Sequence, residues 1–512
     1  MATSQRTDFP ELFPCPRQLT LDGGESNLSL DIRLTTANVL PIQRKAVRSI
    51  LTASGVRVVA NKKTYVVDAK VDEPSVFDLK NVPENCRYDY YELKISGSEV
   101  FIRSPYQGGM VWATQTLAVI FRLLQAGHKI PNLTIRDWPA LPVRGLFLES
   151  HPGLDRMSTY EWYQTFDFLS AQKFNLLGME MYACEGNCRR DGANRPAEYL
   201  MFPVEGRDTL HSERRIRWYS AKGDFWHDER FAPQTSQSEF LSDIINYGKE
   251  RGIDVVPAIN FLGRNSLLSR LVPGISAKNA KGDATEYSFC LSAPATRQFL
   301  ETMLGDFLAK YYQNGTEYFQ ILLDAHGDHP HADKPLQAES AWCACAKCKK
   351  KSHAALLADY LLWLVKFLLS KNVGKCILNY AQLLEAGFDD KAFSAFVKKL
   401  DAPEKLVVLL PGDEKGQPLT SLGVKDLAKL GVQAWMAPLF CQGICDGFLP
   451  PVTNVDKLAK KASTDKASGL MGGKVVDFSS ADQIAVLSAF AWQNTTALKP
   501  DKLVQAWYSA VF

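Results

Sequence analysis

The sequence predicts an α/β fold: a (β/α)8 TIM-type barrel over residues 138–512, preceded by a small α+β domain over residues 1–137. Two patterns predict it. From Val143 onward, eight short apolar runs alternate with stretches of helical periodicity, and several of these runs are continuously apolar, as parallel strands buried on both faces are. Ahead of them a hairpin signal is followed by a helix signal, the order in which a helix covers one face of a sheet. The length agrees, because 512 residues exceed one ordinary domain and a barrel holds about 250 residues or more as one unit. A doubly wound open sheet uses the same alternation and is the competing arrangement.

In chain order, Tyr91-Glu92-Leu93-Lys94-Ile95 and Glu99-Val100-Phe101-Ile102-Arg103 alternate in polarity around Ser96-Gly97-Ser98, which predicts a β-hairpin. Met110 to Gln125 places apolar residues at helical spacing, and Gly127 follows as a stop. Ile135 to Pro142 carries two prolines and Trp138 and marks the domain boundary. The expected barrel strands are Val143–Glu149, Leu176–Tyr182, Asp254–Asn260, Tyr318–Leu323, Cys376–Tyr380, Leu406–Leu410, Val432–Ala437 and Leu470–Val475. Helices are expected at Thr159–Gln172, Ser238–Arg251, Thr296–Tyr312 and Ala354–Lys371.

Composition excludes several classes. At 46% hydrophobic, 11% aromatic and 22% charged residues, the chain is neither disordered nor fibrous. Lys+Arg 59 against Asp+Glu 56 gives a net charge of +3, without the basic stripe that a nucleic-acid partner requires. No run approaches 18 apolar residues, so no membrane-spanning helix is expected. The opening MATSQRTDFPELFPCPRQ has no apolar core of a secretory signal. That reading fits a cytoplasmic protein, or a secreted or periplasmic one whose signal has been removed; oligomeric state stays open. Eleven cysteines are an odd count at modest density, not a disulfide scaffold. The Asn-x-Ser/Thr sites at Asn132, Asn314 and Asn494 are about as many as chance supplies.

Five stretches, in order along nearly the whole chain, resemble one family. They are YELKISGSEVFIRSPYQGGMVWATQTLAVIF (91–121), PVRGLFLES (142–150), RGIDVVPAINFLGR (251–264), ILLDAHGD (321–328) and AFAWQ (489–493). The chain resembles the family 20 glycoside hydrolases, the β-N-acetylhexosaminidases, and the resemblance implies their α+β domain and catalytic barrel. The departures fall on the chemistry. Where that family has an Asp-Glu pair, this chain has Asp328-His329; its third-strand Glu and His are Ala258 and Arg264. The second-strand region reads MEMYACEGNC, and no Trp-Ser-Glu follows near Val475–Ser479. A shorter likeness, Trp342-Cys343-Ala344-Cys345-Ala346-Lys347-Cys348, is similar to bacterial barrel hydrolases related to the endo-β-N-acetylglucosaminidases.

The densest polar cluster is Asp324-Ala325-His326-Gly327-Asp328-His329-Pro330-His331, at the end of an apolar strand, where a barrel presents its active face. Glycosidic cleavage needs a proton donor to the leaving oxygen and a second group for the developing oxocarbenium ion. Asp328 suits an orienting carboxylate or base, and His329 titrates near neutrality and suits the acid. Glu149 and Glu180, on the first and second strands, are the alternative acids. Asp324 and His326 are expected to touch substrate. Arg144, on an otherwise apolar strand, needs a partner: an internal ion pair, or, as the resemblance implies, a sugar it clamps. Asn379, Tyr380, Asp413 and Trp435 lie at or near strand ends and suit polar and stacking contacts to a sugar. Arg264 suits bidentate recognition of an acidic group. Asp and His at short spacing also suit a divalent metal, but no His-x-x-x-His pattern accompanies them, and neither metal nor cofactor is assigned. Cys343, Cys345 and Cys348 are three thiols where structural zinc wants four ligands. Cys184 and Cys188, or Cys441 and Cys445, could complete such a site, and disulfides or reduced thiols stay open.

The resemblance thus implies a glycosidase that removes a terminal N-acetylhexosamine, or a related or acidic sugar, from an oligosaccharide or glycan. Its rivals are an inactive sugar-binding homologue, an inverting enzyme using the Asp/His pair, and a metal-dependent hydrolase.

Overall fold

A computed structural model describes residues 9–60, 65–148, 154, 157–185, 197–207, 210, 214–324, 341–413, 415–440, 452–475, 481–493 and 499–511. The N-terminal part is one seven-stranded sheet of β1 (Gln18–Glu25), β2 (Asp31–Ala37), β3 (Arg57–Val58), β4 (Tyr65–Val71), β5 (Tyr91–Ser96), β6 (Glu99–Ser104) and β7 (Pro131–Asp137), in the order β1-β7-β5-β6-β4-β2-β3. β5 and β6 form the expected hairpin, with Glu92 opposite Arg103, and Gly97 takes the left-handed turn conformation at φ +57°. Two helices cover the sheet: α1 (Pro41–Ala53) and α2 (Gln107–Gln125). α2 starts three residues earlier than its apolar pattern, and its first turn needs Gly109. A Cβ there would lie 2.1 Å from the Tyr90 carbonyl oxygen.

The barrel strands are β8 (Val143–Leu148) and β9 (Leu176–Glu185), then β13 (Asp254–Asn260), β16 (Thr316–Leu322), β17 (Val373–Asn379), β18 (Leu406–Pro411), β19 (Gln433–Ala437) and β20 (Gly469–Val475). Each pairs in parallel with the next, and β20 pairs with β8, so the sheet closes and the open doubly wound alternative is excluded. Between them lie β10 (Ala197–Leu200), an antiparallel extension of β9, and two hairpins, β11 (Arg214–Ser220) with β12 (Phe225–Phe231) and β14 (Ser276–Lys278) with β15 (Ala284–Phe289). The helices are α3 (Thr159–Ala171), α4 (Ser238–Glu250), α5 (Ser266–Leu271), α6 (Pro294–Tyr311), α7 (His353–Ser370), α8 (Tyr380–Glu385), α9 (Asp390–Val397), α10 (Val424–Lys429), α11 (Val452–Asp465), α12 (Ala481–Gln493) and α13 (Pro500–Val511). Among the described residues α7 alone is long and apolar enough, by composition, to cross a membrane, with a mean hydropathy of 1.4. Here it is a barrel helix whose Leu357, Tyr360, Leu361, Leu364 and Leu368 are buried.

Alternate residues of each strand fill the barrel, among them Phe147, Leu176, Val256, Tyr318, Leu322, Leu409, Trp435 and Met471. Gly178 faces the same interior and has no room for a side chain: a Cβ would stand 2.5 Å from the end of Met471 and 2.8 Å from Phe147.

The two parts meet in a buried ionic seam. Lys173, at φ +60° just after α3, donates to Asp137 (3.0 Å) and to the Tyr91 hydroxyl (3.0 Å). The Asp137 carboxylate also accepts from the Tyr91 hydroxyl (2.7 Å), the Trp492 indole N–H (2.8 Å) and the Arg17 amide (3.0 Å). Lys173 and Asp137 side chains are 2% and 0% exposed, so this pair is fully desolvated. Burial pulls the Lys173 ammonium below the usual lysine range, with Asp137 opposing that shift.

Candidate functional site at the barrel mouth

Parallel strands carry their last side chains to one rim, and here three of those ends converge on Asp324. Its carboxylate, two residues beyond β16, accepts from Asn260 Nδ2 at the end of β13 (2.8 Å), from Gln382 Nε2 in α8 (2.6 Å) and from Arg264 Nη1 in the loop after β13 (3.2 Å). Asp324 and Arg264 side chains are 20% and 21% exposed, so the group is open to solvent without being bathed in it. The backbone beneath is tight. The Gly263 amide donates to the Asp324 carbonyl (2.9 Å), and a Cβ at Gly263 would sit 2.5 Å from that oxygen. Arg264 itself is left-handed at φ 54°, a conformation costing a non-glycine residue about 1 kcal/mol. Asn265 holds that turn by donating its amide to Tyr287 O (2.8 Å) and its side chain to Gly263 O (2.7 Å).

Below this rim Glu180, Ala258 and Gln320 lie side by side on β9, β13 and β16, facing into the barrel one inward step under Asn260. Glu180 is 1% exposed, and Gln320 Oε1 has no hydrogen-bond partner among the described residues. A buried amide oxygen and a carboxylate at that level give the mouth a polar floor.

Several expected ligand contacts have other work in the structure. Arg144 sits at the start of its strand, at the end away from the mouth, and is 1% exposed. It pairs with Asp89 of the N-terminal part (2.9 Å), donates to the carbonyls of Lys173 (2.8 Å) and Leu141 (3.1 Å), and lies over the rings of Trp112 and Trp492. The internal ion pair, not the sugar clamp, is its role. Tyr380 is buried with its hydroxyl on Asp390 and its ring edge-on to Phe393, because it opens α8 facing the outer core. Asn379 caps that helix through the Ala381 amide (3.0 Å). Asp413 folds its own loop by accepting from the Lys415 (2.9 Å) and Gln417 (2.7 Å) amides. Trp435 is a barrel-interior residue packed edge-on to Tyr318, 4.9 Å away, and fully buried. The structure therefore brings Asp324 and Arg264 together and places Glu180 beneath them. Glu149, His326, Asp328 and His329 lie outside the described residues, as do Cys188, Cys441, Cys445 and the side chain of Cys184.

Sequence reasoning missed Asn260 and Gln382. Asn260 had a signal, being a polar residue that ends an apolar strand, as Asn379 also does; Gln382 had none. It also missed the β11–β12 hairpin, whose two strands carry Trp218 and Tyr219, and Phe225 and Trp226, 42–58% exposed.

The fold and rim define the class: a two-domain protein whose barrel bears its polar site at the strand ends. Residues 9–138 match the family model "Glycosyl hydrolase family 20, domain 2". Among solved structures the chain is similar to the GH20 exo-β-N-acetylglucosaminidase of Vibrio harveyi in complex with N-acetylglucosamine, with a TM-score of 0.64 and 13% identity over 100% of this chain and 80% of that one. It is also similar to the β-N-acetylhexosaminidase of Bacteroides fragilis, with a TM-score of 0.63 and 15% identity over 98% and 95%. A curated relative, "Beta-hexosaminidase A" of Caenorhabditis briggsae, is 24% identical over 238 residues. That match takes in 45% of this chain and 36% of the relative, so it spans about a third of the relative's length. The chain thus shares its fold with solved family 20 glycoside hydrolases, and its first quarter matches that family's domain 2.

Proposed function

We propose that this chain is a glycoside hydrolase that releases a terminal N-acetylhexosamine, or a related sugar, from an oligosaccharide or glycan. The observation that carries the reading is Asp324. Three side-chain donors, from the end of β13, the loop that follows it and α8, hold its carboxylate in one orientation at the rim, which is what a group that positions a polyol substrate requires. The solved structures it is similar to include an exo-β-N-acetylglucosaminidase and a β-N-acetylhexosaminidase.

In this reading Asp324 and Arg264 bind the sugar. Four and five residues further along the chain, Asp328 orients the substrate amide or acts as base, and His329 protonates the leaving oxygen. With a 2-acetamido sugar, the amide carbonyl attacks the anomeric carbon and the anomeric configuration is retained. Glu180, at the polar floor, is the alternative acid. Hydrolysis of chromogenic β-GlcNAc and β-GalNAc substrates tests this. Asp328→Asn and His329→Gln should each lower kcat by about 100-fold or more, the range for general acid–base groups. Turnover by both variants at the parental rate would remove these roles. The loss of the family's Glu at position 329 favours one other reading, a sugar-binding protein without turnover. N-acetylglucosamine binding by calorimetry with no hydrolysis by the parent would establish that reading instead.

A further inference from the structure

The geometry points to a structural zinc site made by Cys290, Cys343, Cys345 and Cys348. Cys290 follows β15, and the other three form a short knuckle ahead of α7. Their four sulfurs all lie within 4.8 Å of one another, with Cys290 Sγ 3.8 Å from Cys348 Sγ and 3.9 Å from Cys345 Sγ. A tetrahedral zinc with Zn–S bonds of about 2.3 Å has S···S edges about 1.63 times longer, or ~3.8 Å. A disulfide would need about 2.0 Å, and a cubane iron–sulfur cluster holds its cysteine sulfurs farther apart.

The backbone around the sulfurs is arranged as a ligand shell needs. The amides of Lys278 (3.2 Å) and Cys345 (3.4 Å) both donate to Cys343 Sγ, and the Cys348 amide faces Cys345 Sγ at 3.5 Å. Such N–H groups orient thiolates and favour their charged form. Cys348 Sγ also meets the Ser292 hydroxyl at 3.2 Å. Four thiolates around Zn²⁺ leave a net double negative charge, and the knuckle carries Lys347, Lys349, Lys350 and Lys351 in sequence. Four protein ligands close the coordination sphere, so the ion is structural rather than a water-activating centre. Its position in the chain gives it a purpose. It fastens the knuckle that leads into α7 to the β14–β15 hairpin, where the Ala344 amide already donates to Lys278 O (2.6 Å). In sequence, Asp328 and His329 lie between β16 and this knuckle.

The test is metal content of the full-length protein purified without chelator. One zinc per chain by inductively coupled plasma mass spectrometry is expected. Cys290→Ser and Cys345→Ser should lose it, while Cys376→Ser, a buried thiol outside the cluster, should keep it. Should the serine variants fail to fold, organomercurial titration of the parent against a zinc-binding dye gives the same stoichiometry without mutation. Replacement by cobalt should give the intense visible bands of a tetrahedral tetrathiolate. Protein without bound zinc, zinc retained at one equivalent by Cys290→Ser, iron in place of zinc, or an intact mass lower by the two hydrogens of a disulfide among these four would each overturn the assignment.

Discussion

Replacing Asp137 by Asn removes the charge that faces Lys173 while keeping the volume. At 3.0 Å and an effective dielectric of about 20, the pair's attraction is ~5.5 kcal/mol. Burying the two charges costs several kcal/mol each, so the intact pair contributes little net stability, but breaking it leaves an ammonium buried with no counter-ion, at about 3–5 kcal/mol. In urea unfolding monitored by tryptophan fluorescence, Asp137→Asn should lose that amount, and its Tm should fall by roughly 3–5 °C, given an unfolding entropy of about 2.1 cal/mol/K per residue over this length. Lys173→Met alone should lose less, because Asp137 keeps its donors from Tyr91, Trp492 and Arg17. The double variant should lose much less than the sum of the single losses, with a coupling on the order of 2–3 kcal/mol. The pH dependence has a definite sign. Without Asp137 the Lys173 pKa falls further in the folded state, so between that value and the ordinary lysine value of about 10.4 the unfolded chain binds more protons and stability rises with pH. The deficit of Asp137→Asn should therefore shrink as pH rises through this window. Single variants within about 0.5 kcal/mol of the parent, or strictly additive effects, would refute this account of the seam.

Asp324→Asn should lower kcat/KM on the chromogenic substrates by about 100-fold while leaving the circular dichroism spectrum unchanged, since its backbone contact with Gly263 does not use the side chain. An unchanged rate would separate the rim cluster from substrate. Gly178→Ala pushes a methyl into Met471 and Phe147 inside the barrel and should cost about 1–3 kcal/mol in chemical denaturation. Ser158 caps α3 by accepting from the Glu161 amide, so Ser158→Ala should cost about 1 kcal/mol in the same assay, and Ser158→Asp should recover most of it.

The barrel was legible because its strands are continuous apolar runs, whose register with helical stretches leaves few alternatives. The expected Asp254–Asn260 is the observed β13, and the expected Leu406–Leu410 stops one residue short of β18. Closure was not readable from any one strand; it appears only in the pairing of β20 with β8. Legibility failed where the deciding partner is remote. A buried Arg announces that it needs a counter-charge, but Asp89 lies 55 residues upstream and in the other domain. Likewise Cys290 stands outside the visible Cys-x-Cys-x-x-Cys and joins it only through the β14–β15 hairpin. Tyr380 and Trp435 share a different failure: an aromatic near a strand end is equally suited to a ligand or to the core, and each packs against further aromatics here.

Trp492 belongs to the last turn of α12, near the C-terminal end of the chain, yet its ring lies in the apolar core of the N-terminal sheet and its N–H serves Asp137. On a ribosome the first domain would emerge long before this ring is made. Until then its exposed edge, with Trp112 and an Asp137 lacking the Trp492 donor, waits for the 355 residues that separate Asp137 from Trp492. A nascent chain halted before α12 should therefore remain sticky and protease-sensitive at its very beginning.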